Sequence, residues 1–329
     1  MKLVSFRLTE ADRAEIAFGA VRGAEVVRFT SAAGHDVRGL DSMDSYLAGL
    51  PDTFDRAAAI VADPAQPALR LNDVQLLAPL PQPAALLDCG LSPKHLRAST
   101  RTLLRRSLPF GVGRPVGALL GRAAARSKTL RFYKGNHYSI SGTGDTIDWP
   151  DFTAYLDIEP ELAIVTGAEP QQHSAWVEPA GYLIYNDASA RDVQLGEMLF
   201  TGPASSKDFD TGNGIGPYLV TPDEVPNPLD LAVTVTFDGR SAWTGTTSDY
   251  SLHPARMLAH ILRRRSLPAG TVVGMGTIPG CCGLDRDEWL EPGEAFTINI
   301  DGLGSLAQRF GTPATMPTTG WGRRAPKDT

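Results

Sequence analysis

Short runs of β-branched and aromatic residues, broken by Gly, Asp and Asn, recur along residues 131–311: YSISG, ELAIVTG, GYLIYND, YLVTPDE, LAVTVTFDG, AGTVVGMG and AFTINIDG. Each has the length and composition of a strand. Asp238-Gly239 and Asp301-Gly302 follow two of these runs and signal hairpins, so the sheet should be mixed or antiparallel. PARMLAHILRRR instead has helical spacing, with Met257, Leu258, Ile261 and Leu262 on one face and Pro254 in the first turn. Near the start, LVSFRL and AEVVRF read as two more strands. Met43, Tyr46, Leu47 and Leu50 then follow the three-four spacing of a helix that Asp41 or Ser42 caps and Pro51 ends. Pro79, Pro81 and Pro83 exclude helix and central strand, and the last stretch is rich in Pro, Thr and Gly. The chain therefore reads as a small lobe over 1–80, a larger domain over 81–311 and a loose tail over 312–329.

The 33 Gly and 25 Pro among 329 residues agree with a turn-rich β protein. A net charge of -6 gives no global attraction to nucleic acid or to an anionic membrane, which leaves small ligands as partners. No run approaches about 18 apolar residues, and acids occupy MKLVSFRLTEADRAE where a signal peptide needs an apolar core, so a cytoplasmic location is expected. Cys89, Cys281 and Cys282 form neither a C-x-x-C zinc spacing nor an even disulfide set and are expected to be reduced and structural.

In DIEPELAIV, alternation places Glu159 and Glu161 on one side of a strand with Ala163 and Val165, roughly 6.5 to 7 Å apart and able to bracket one hard cation. Asp187 ends GYLIYN, and a helical ASARDVQ would bring Arg191 and Gln194 together one turn beyond it. An isolated pair of glutamates at this spacing usually reads as a solvated face, and Asp187 alone reads as well as an N-cap paired with Arg191. Gly212, Gly214 and Gly216 precede no Lys-Ser or Lys-Thr, so they read as a turn and not a phosphate cradle. The segment from Cys89 to Gly144 holds eleven Lys or Arg and no acid. It would attract a carboxylate-bearing ligand, while Leu103, Leu104, Leu108, Phe110, Val112 and Leu119 accept a larger tail.

In order, E-P-E at 159–161, GYLIYNDASARDVQ at 181–194 and SKDFDTGNGIGPY at 206–218 resemble the core signature of the fumarylacetoacetate hydrolase family. The similarity continues through GTTSD, LPAGTVVGMGT and WLEPGE, over about residues 85–311. It implies an α+β, β-rich chain: a mixed β roll of the fumarylacetoacetase C-terminal type with a small N-terminal α/β lobe, assembled as a homodimer. It also implies a divalent cation, Mg2+ with Mn2+ or Ca2+ as substitutes, held by Glu159, Glu161, Asp187 and Asp88. Such an all-carboxylate set suits a hard ion. His95 would be the general base on a mobile lid over about 92–130, its helix starting at Ser92 and Pro93. Lys207 would stabilise charge on the substrate oxygen, Arg191 and Gln194 would contact substrate, and Tyr133, Lys134 and Thr277 would line the pocket.

One departure stands out. Short relatives carry a glutamate about three residues after this histidine, where Ala98 and Ser99 stand here. An acid from the loop after Thr277 would have to replace it, with Asp285, Asp287 and Glu288 as candidates. The resemblance thus points to a metal-dependent hydrolase cleaving a C-C bond in a small anionic 2-oxo or 1,3-diketo acid, of fumarylacetoacetate or acylpyruvate type or bulkier. An isomerase, decarboxylase or dehydratase could use the same enolate-stabilising site, and a catalytically silent metal-binding scaffold is the alternative from another class.

Overall fold

Apolar residues on both sides of one strand set the architecture in the computed structural model, which describes residues 1–8, 15–126, 130–168 and 174–321. In Pro160–Val165, Leu162 and Ile164 enter a core with Val235, Ile298 and Met257, while Ala163 and Val165 enter a second core with Leu3, Phe18, Tyr46 and Leu183. A strand covered on both faces must sit centrally in a sheet. It does so within a twelve-stranded sheet ordered Ala68–Arg70, Glu25–Arg28, Ala17–Arg22, Lys2–Leu8, Asn213–Val220, Gly181–Asp187, Pro160–Val165, Thr271–Gly274, Ala85–Cys89, Phe132–Gly135. Val74–Leu76 pairs with Lys2–Leu8, and Ile140–Ser141 with Asn213–Val220. The sheet is mixed: 85–89 runs parallel to 271–274 and antiparallel to 132–135.

A five-stranded sheet, ordered Arg240–Thr246, Ala232–Phe237, Ala295–Ile300, Gly304–Phe310, Thr146–Ile147, contributes to the first core. Both Asp-Gly hairpins form, with Phe237 opposite Arg240 and Ile300 opposite Gly304. The first 80 residues extend the main sheet, and their Leu3, Phe18 and Tyr46 share a core with Leu183, Tyr185 and Ile215. The prolines at 79–83 interrupt backbone pairing, but packing runs across them through the buried Ala78 and Leu80.

Seven α-helices occur among the described residues: α1 Met43–Ala48, α2 Asp52–Ala62, α3 Pro93–Ser107, α4 Gly113–Ala125, α5 Arg191–Phe200, α6 Pro254–Leu262 and α7 Gly283–Arg286. Ser42 caps α1 by accepting the Ser45 N–H at 3.1 Å, and Ser92 caps α3 by accepting the His95 N–H at 3.2 Å. Pro51 separates α1 from α2 and does not end the helical region.

Helix α4 is hidden in the sequence by its own packing device. Gly113, Gly117 and Gly121 look like breakers, yet they face α3, where a Cβ would stand 2.1 Å from the Leu104 carbonyl, 3.1 Å from the Arg101 carbonyl and 2.8 Å from the Arg97 carbonyl. Backbone contact, not a leucine seam, joins the hairpin, and it turns Phe110, Val112 and Leu119 out to solvent, away from any ligand tail.

Two further expectations change. Gly214 and Gly216 lie within the strand Asn213–Val220, paired with Asn186 and Ile184, and not in a turn; position 214 is glycine because a Cβ there would strike the Gln308 side chain at 2.3 Å. Residues 312–321 dock and are not loose: Met316 packs on the first core, and Trp321 stacks edgewise on Tyr155 and Trp289. Residues 322–329 lie outside the described residues.

Two glycine substitutions should act with opposite sign. Gly113→Ala forces backbone apart and should cost about 1–3 kcal/mol in urea unfolding. Gly196→Ala, on α5 with nothing within 4 Å of its Cβ, should stabilise by up to about 1 kcal/mol.

Candidate active site and metal centre

Alternation along neighbouring strands brings acids from distant parts of the chain to one end of the sheet. Asp88 stands opposite Gly274 on one side and Tyr133 on the other, Glu161 opposite Tyr185, and Asp187 opposite Asn213. One carboxylate oxygen from each of Asp88, Glu161 and Asp187 lies within 4.8 Å of the others, and all three are buried. Gly274 keeps the space between them open, since its Cβ would fall 2.5 Å from Glu161 Oε2 and 2.7 Å from Asp88 Oδ1. Glu161 Oε2 accepts the Gly276 N–H at 2.8 Å, while Oε1 is buried without a hydrogen-bond partner. An all-oxygen donor set with an orphaned buried oxygen fits a hard divalent cation and not a soft one.

Glu159 does not join this trio. It lies just ahead of the strand, and two cations hold it: the Arg191 Nη1 donates to Oε1 at 2.6 Å, and the Lys207 ammonium donates to Oε2. Lys207 also donates to Asp187, whose Oδ2 accepts the Tyr133 hydroxyl at 2.6 Å. Arg191 is fully buried at the start of α5, and its Nε donates to Asp157 at 2.9 Å. Gln194, one turn on, accepts from Arg191 Nη1 at 3.1 Å. Thr277 is buried just beyond Gly276. Lys134 is exposed, because it alternates with Tyr133 and points away from the acids.

Too few cations serve these acids. Burial, then the charge of Asp187, pushes Asp88 up to about 7. Burial and the Asp88 charge raise Glu161 well above the carboxylate range, and burial raises Asp187. Burial would raise Glu159 too, but Arg191 and Lys207 outweigh it and hold it low. Burial would lower Lys207, yet Asp187 and Glu159 keep it firmly charged.

His95, on the first turn of α3, faces this row. Its Nε2 is 3.8 Å from Glu159 Oε1 and its Nδ1 is 2.9 Å from Asp285 Oδ1, with Cys282 Sγ 3.9 Å from Nδ1. Burial alone would lower the His95 pKa, but Asp285 and Glu159 bring the net shift upward. Of the three acids considered from the loop after Thr277, Asp285 meets the histidine. Asp287 accepts from Arg105 and Arg106, and Glu288 faces Arg240 and Trp243.

Helix α3 is seated on its own chain. Leu103 packs on the Tyr155, Cys282, Leu284 and Trp289 cluster, and the Arg106 guanidinium lies 5.1–5.5 Å from the Tyr155, Trp289 and Trp321 rings. Asp157 is a site residue that sequence reasoning passed over. It accepts the N–H groups of Gly283 at 2.7 Å and Leu284 at 2.9 Å as well as Arg191, so it fixes α7 and hence Asp285. The signal was present: Asp157 stands two residues before Glu159, in the same alternation as the glutamates.

The chain matches the model of the fumarylacetoacetate (FAA) hydrolase C-terminal family over residues 113–311. A provisionally named hydrolase of Burkholderia cenocepacia (strain HI2424) is 35% identical over 52% of this chain, which spans 62% of that relative's length. Another, from Burkholderia multivorans, is 32% identical over 73% of this chain and 90% of its own. Among solved structures, the fumarylacetoacetate hydrolase of Exiguobacterium antarcticum superposes with a TM-score of 0.71 at 23% identity, covering 95% of this chain and 100% of that one. The maleylpyruvate hydrolase of Sphingobium sp. SYK-6 in complex with manganese(II) and pyruvate gives 0.66 at 20%, covering 95% and 99%. The 2-hydroxyhepta-2,4-diene-1,7-dioate isomerase of Mycobacterium marinum gives 0.65 at 21%, covering 96% and 100%. The same fold thus carries both hydrolases and isomerases. With a family model spanning more than half its length and a relative aligned over most of both chains, this chain belongs to the fumarylacetoacetate hydrolase family.

Proposed function

We propose that the protein is a metal-dependent hydrolase that cleaves a C-C bond in a small anionic 2-oxo or 1,3-diketo acid. The observation that carries this reading is a single buried row: His95 backed by Asp285, then Glu159, Lys207 and Asp187, ending at the trio of Asp88, Glu161 and Asp187. The trio would hold Mg2+ or Mn2+, which supplies Lewis acidity toward the charge that develops on adjacent carbonyl oxygens. Support for the ion comes from the orphaned Glu161 oxygen, the open space at Gly274, and the manganese and pyruvate in a protein of like fold.

The chain's own residues account for the rest. Asp285 Oδ1, 2.9 Å from Nδ1, would keep the ring proton on that nitrogen, so that the His95 Nε2 lone pair takes a proton from water and Asp285 steadies the resulting imidazolium. Lys207 stays charged and stands beside the oxygen on which negative charge grows. Cations between Cys89 and Gly144 that no acid pairs with among the described residues draw in a carboxylate-bearing substrate. The His95–Asp285 pair would supply the activated water that hydrolysis needs; the same pair could move a substrate proton in an isomerisation.

Product release from a panel of acylpyruvates, longer diketo acids and oxaloacetate, with magnesium or with chelator, tests the proposal. Cleavage of a diketo acid only with magnesium is expected. Turnover of oxaloacetate alone would make the protein a decarboxylase, and a metal-induced rise in Tm without turnover would leave the scaffold.

Glu161→Gln should abolish the metal-induced rise in Tm and lower kcat/KM by more than about 100-fold. The pH dependence has a definite sign. A carboxyl whose pKa rises on folding stabilises the fold in its acid form; that contribution is full below about 4 and is lost as pH rises through the folded value. For Asp88 that value is about 7. The metal-free protein should therefore lose stability between about pH 4 and 7, and the gain in Tm on adding magnesium should grow over that window. In kcat/KM profiles, Asp285→Asn should move the acid limb of His95 to lower pH and reduce the plateau by about 10- to 100-fold. A plateau loss without that movement would place Asp285 in a purely structural role.

A further inference from the structure

Behind the proposed base lies a second cluster of donors that differs in kind from the carboxylate trio. His95 Nδ1, Cys282 Sγ and a carboxylate oxygen of Asp285 lie within 4.8 Å of one another. Nδ1 is 3.9 Å from Sγ and 2.9 Å from Asp285 Oδ1. Cys282 is wholly buried, and the side chains of Asp285 and His95 are 4% and 12% exposed. Asp285 Oδ2 is fixed by the Gly280 N–H at 3.0 Å, whereas the buried Oδ1 accepts no well-angled hydrogen bond. The cluster is held in place on both sides: Ser92 caps the helix that carries His95, and Asp157 binds the backbone N–H groups directly after Cys282.

We infer that His95, Cys282 and Asp285 form a second metal site that takes a soft divalent cation such as Zn2+, and that its occupation switches the enzyme off. Imidazole, thiolate and carboxylate are the ligand types zinc selects, and hard Mg2+ has no use for the sulfur. Tetrahedral zinc, with bonds of about 2.0–2.1 Å to nitrogen, 2.3 Å to sulfur and 2.0–2.2 Å to oxygen, needs N···S near 3.5 Å and N···O near 3.3 Å. The distances found differ from these by about 0.4 Å, within the reach of side-chain rotation. A fourth position is left for water.

The consequence for the base follows from bond counting. Neutral His95 carries its proton on Nδ1 when it works. Zinc bonded to Nδ1 moves that proton to Nε2, and the Cys282 thiol releases its own to solvent, so the ion arrives against one lost proton. Nε2 then bears an N–H and cannot accept a proton from water. Binding of the ion stands independently; only the inhibition rests on the reading of His95 as the base.

The test uses the full chain saturated with magnesium, so that the carboxylate trio is filled. Cobalt(II) titrated into wild type should raise the near-ultraviolet thiolate-to-cobalt absorption, and zinc should remove it. Cys282→Ser, which keeps the volume, and Cys282→Ala should lack the band while Cys281→Ala retains it. Turnover of both Cys282 variants should stay within about twofold of wild type, and their inhibition by zinc should weaken at least tenfold. A wild type without the band, or a band that survives Cys282→Ser, overturns the site. Equal inhibition of wild type and Cys282→Ser would place zinc on the carboxylates and overturn the switch. If no substrate is turned over, the catalytic reading fails while the cobalt spectrum still decides the site.

Discussion

Buried negative charge governs this structure. Asp157, Glu159 and Asp187 alternate with Arg191 and Lys207, so that acid and base follow one another through the interior. A charge removed from water is strongly unfavourable unless a partner and hydrogen bonds accompany it. The alternating row meets that condition for every member except its neighbours Asp88 and Glu161, which lie beside it with no cation of their own among the described residues. The row therefore ends in a place that protons or a divalent ion must fill. The sheet makes this possible, because strands covered on both faces exclude water from the acids they carry.

The α3–α4 hairpin is the second constraint. Its helices touch backbone to backbone through Gly113, Gly117 and Gly121, and α3 is held to the body by Leu103, Arg106 and the Asp287 ion pairs. Those contacts set the first turn of α3, and so His95, above Glu159. Arg105 and Arg106 are among the eleven cations of this segment but serve as anchors, so only part of that charge is available to steer a ligand.

Strand positions, both Asp-Gly hairpins and the apolar face of α6 could be read from the sequence because each rests on local chemistry of period two or on a turn. The inward-facing side of the strand that carries Glu161 was legible for the same reason. What separates the two glutamates was not: Glu159 is claimed by Arg191 and Lys207, which arrive 32 and 48 residues later in the chain. Likewise α4 was concealed by glycines whose purpose appears only against α3, and the choice of Asp285 over Asp287 depends on the left-handed turn at Asp287, which directs its carboxylate to arginines.

A fold that serves hydrolases and isomerases alike does not choose between them, so the choice falls to the groups that handle water. The carboxylate trio and Lys207 would serve any reaction that passes through an enolate. A histidine with an acid behind it has a narrower use: it holds one ring nitrogen protonated so that the other can accept a proton. Here the acid comes from α7 and the histidine from α3, and Asp157 ties α7 to Arg191 of the charge row. The residue that would activate water and the residues that would bear the substrate's charge are thus set by one connected ion-pair network. Any change that disturbs Asp157 or Arg191 must reach both at once.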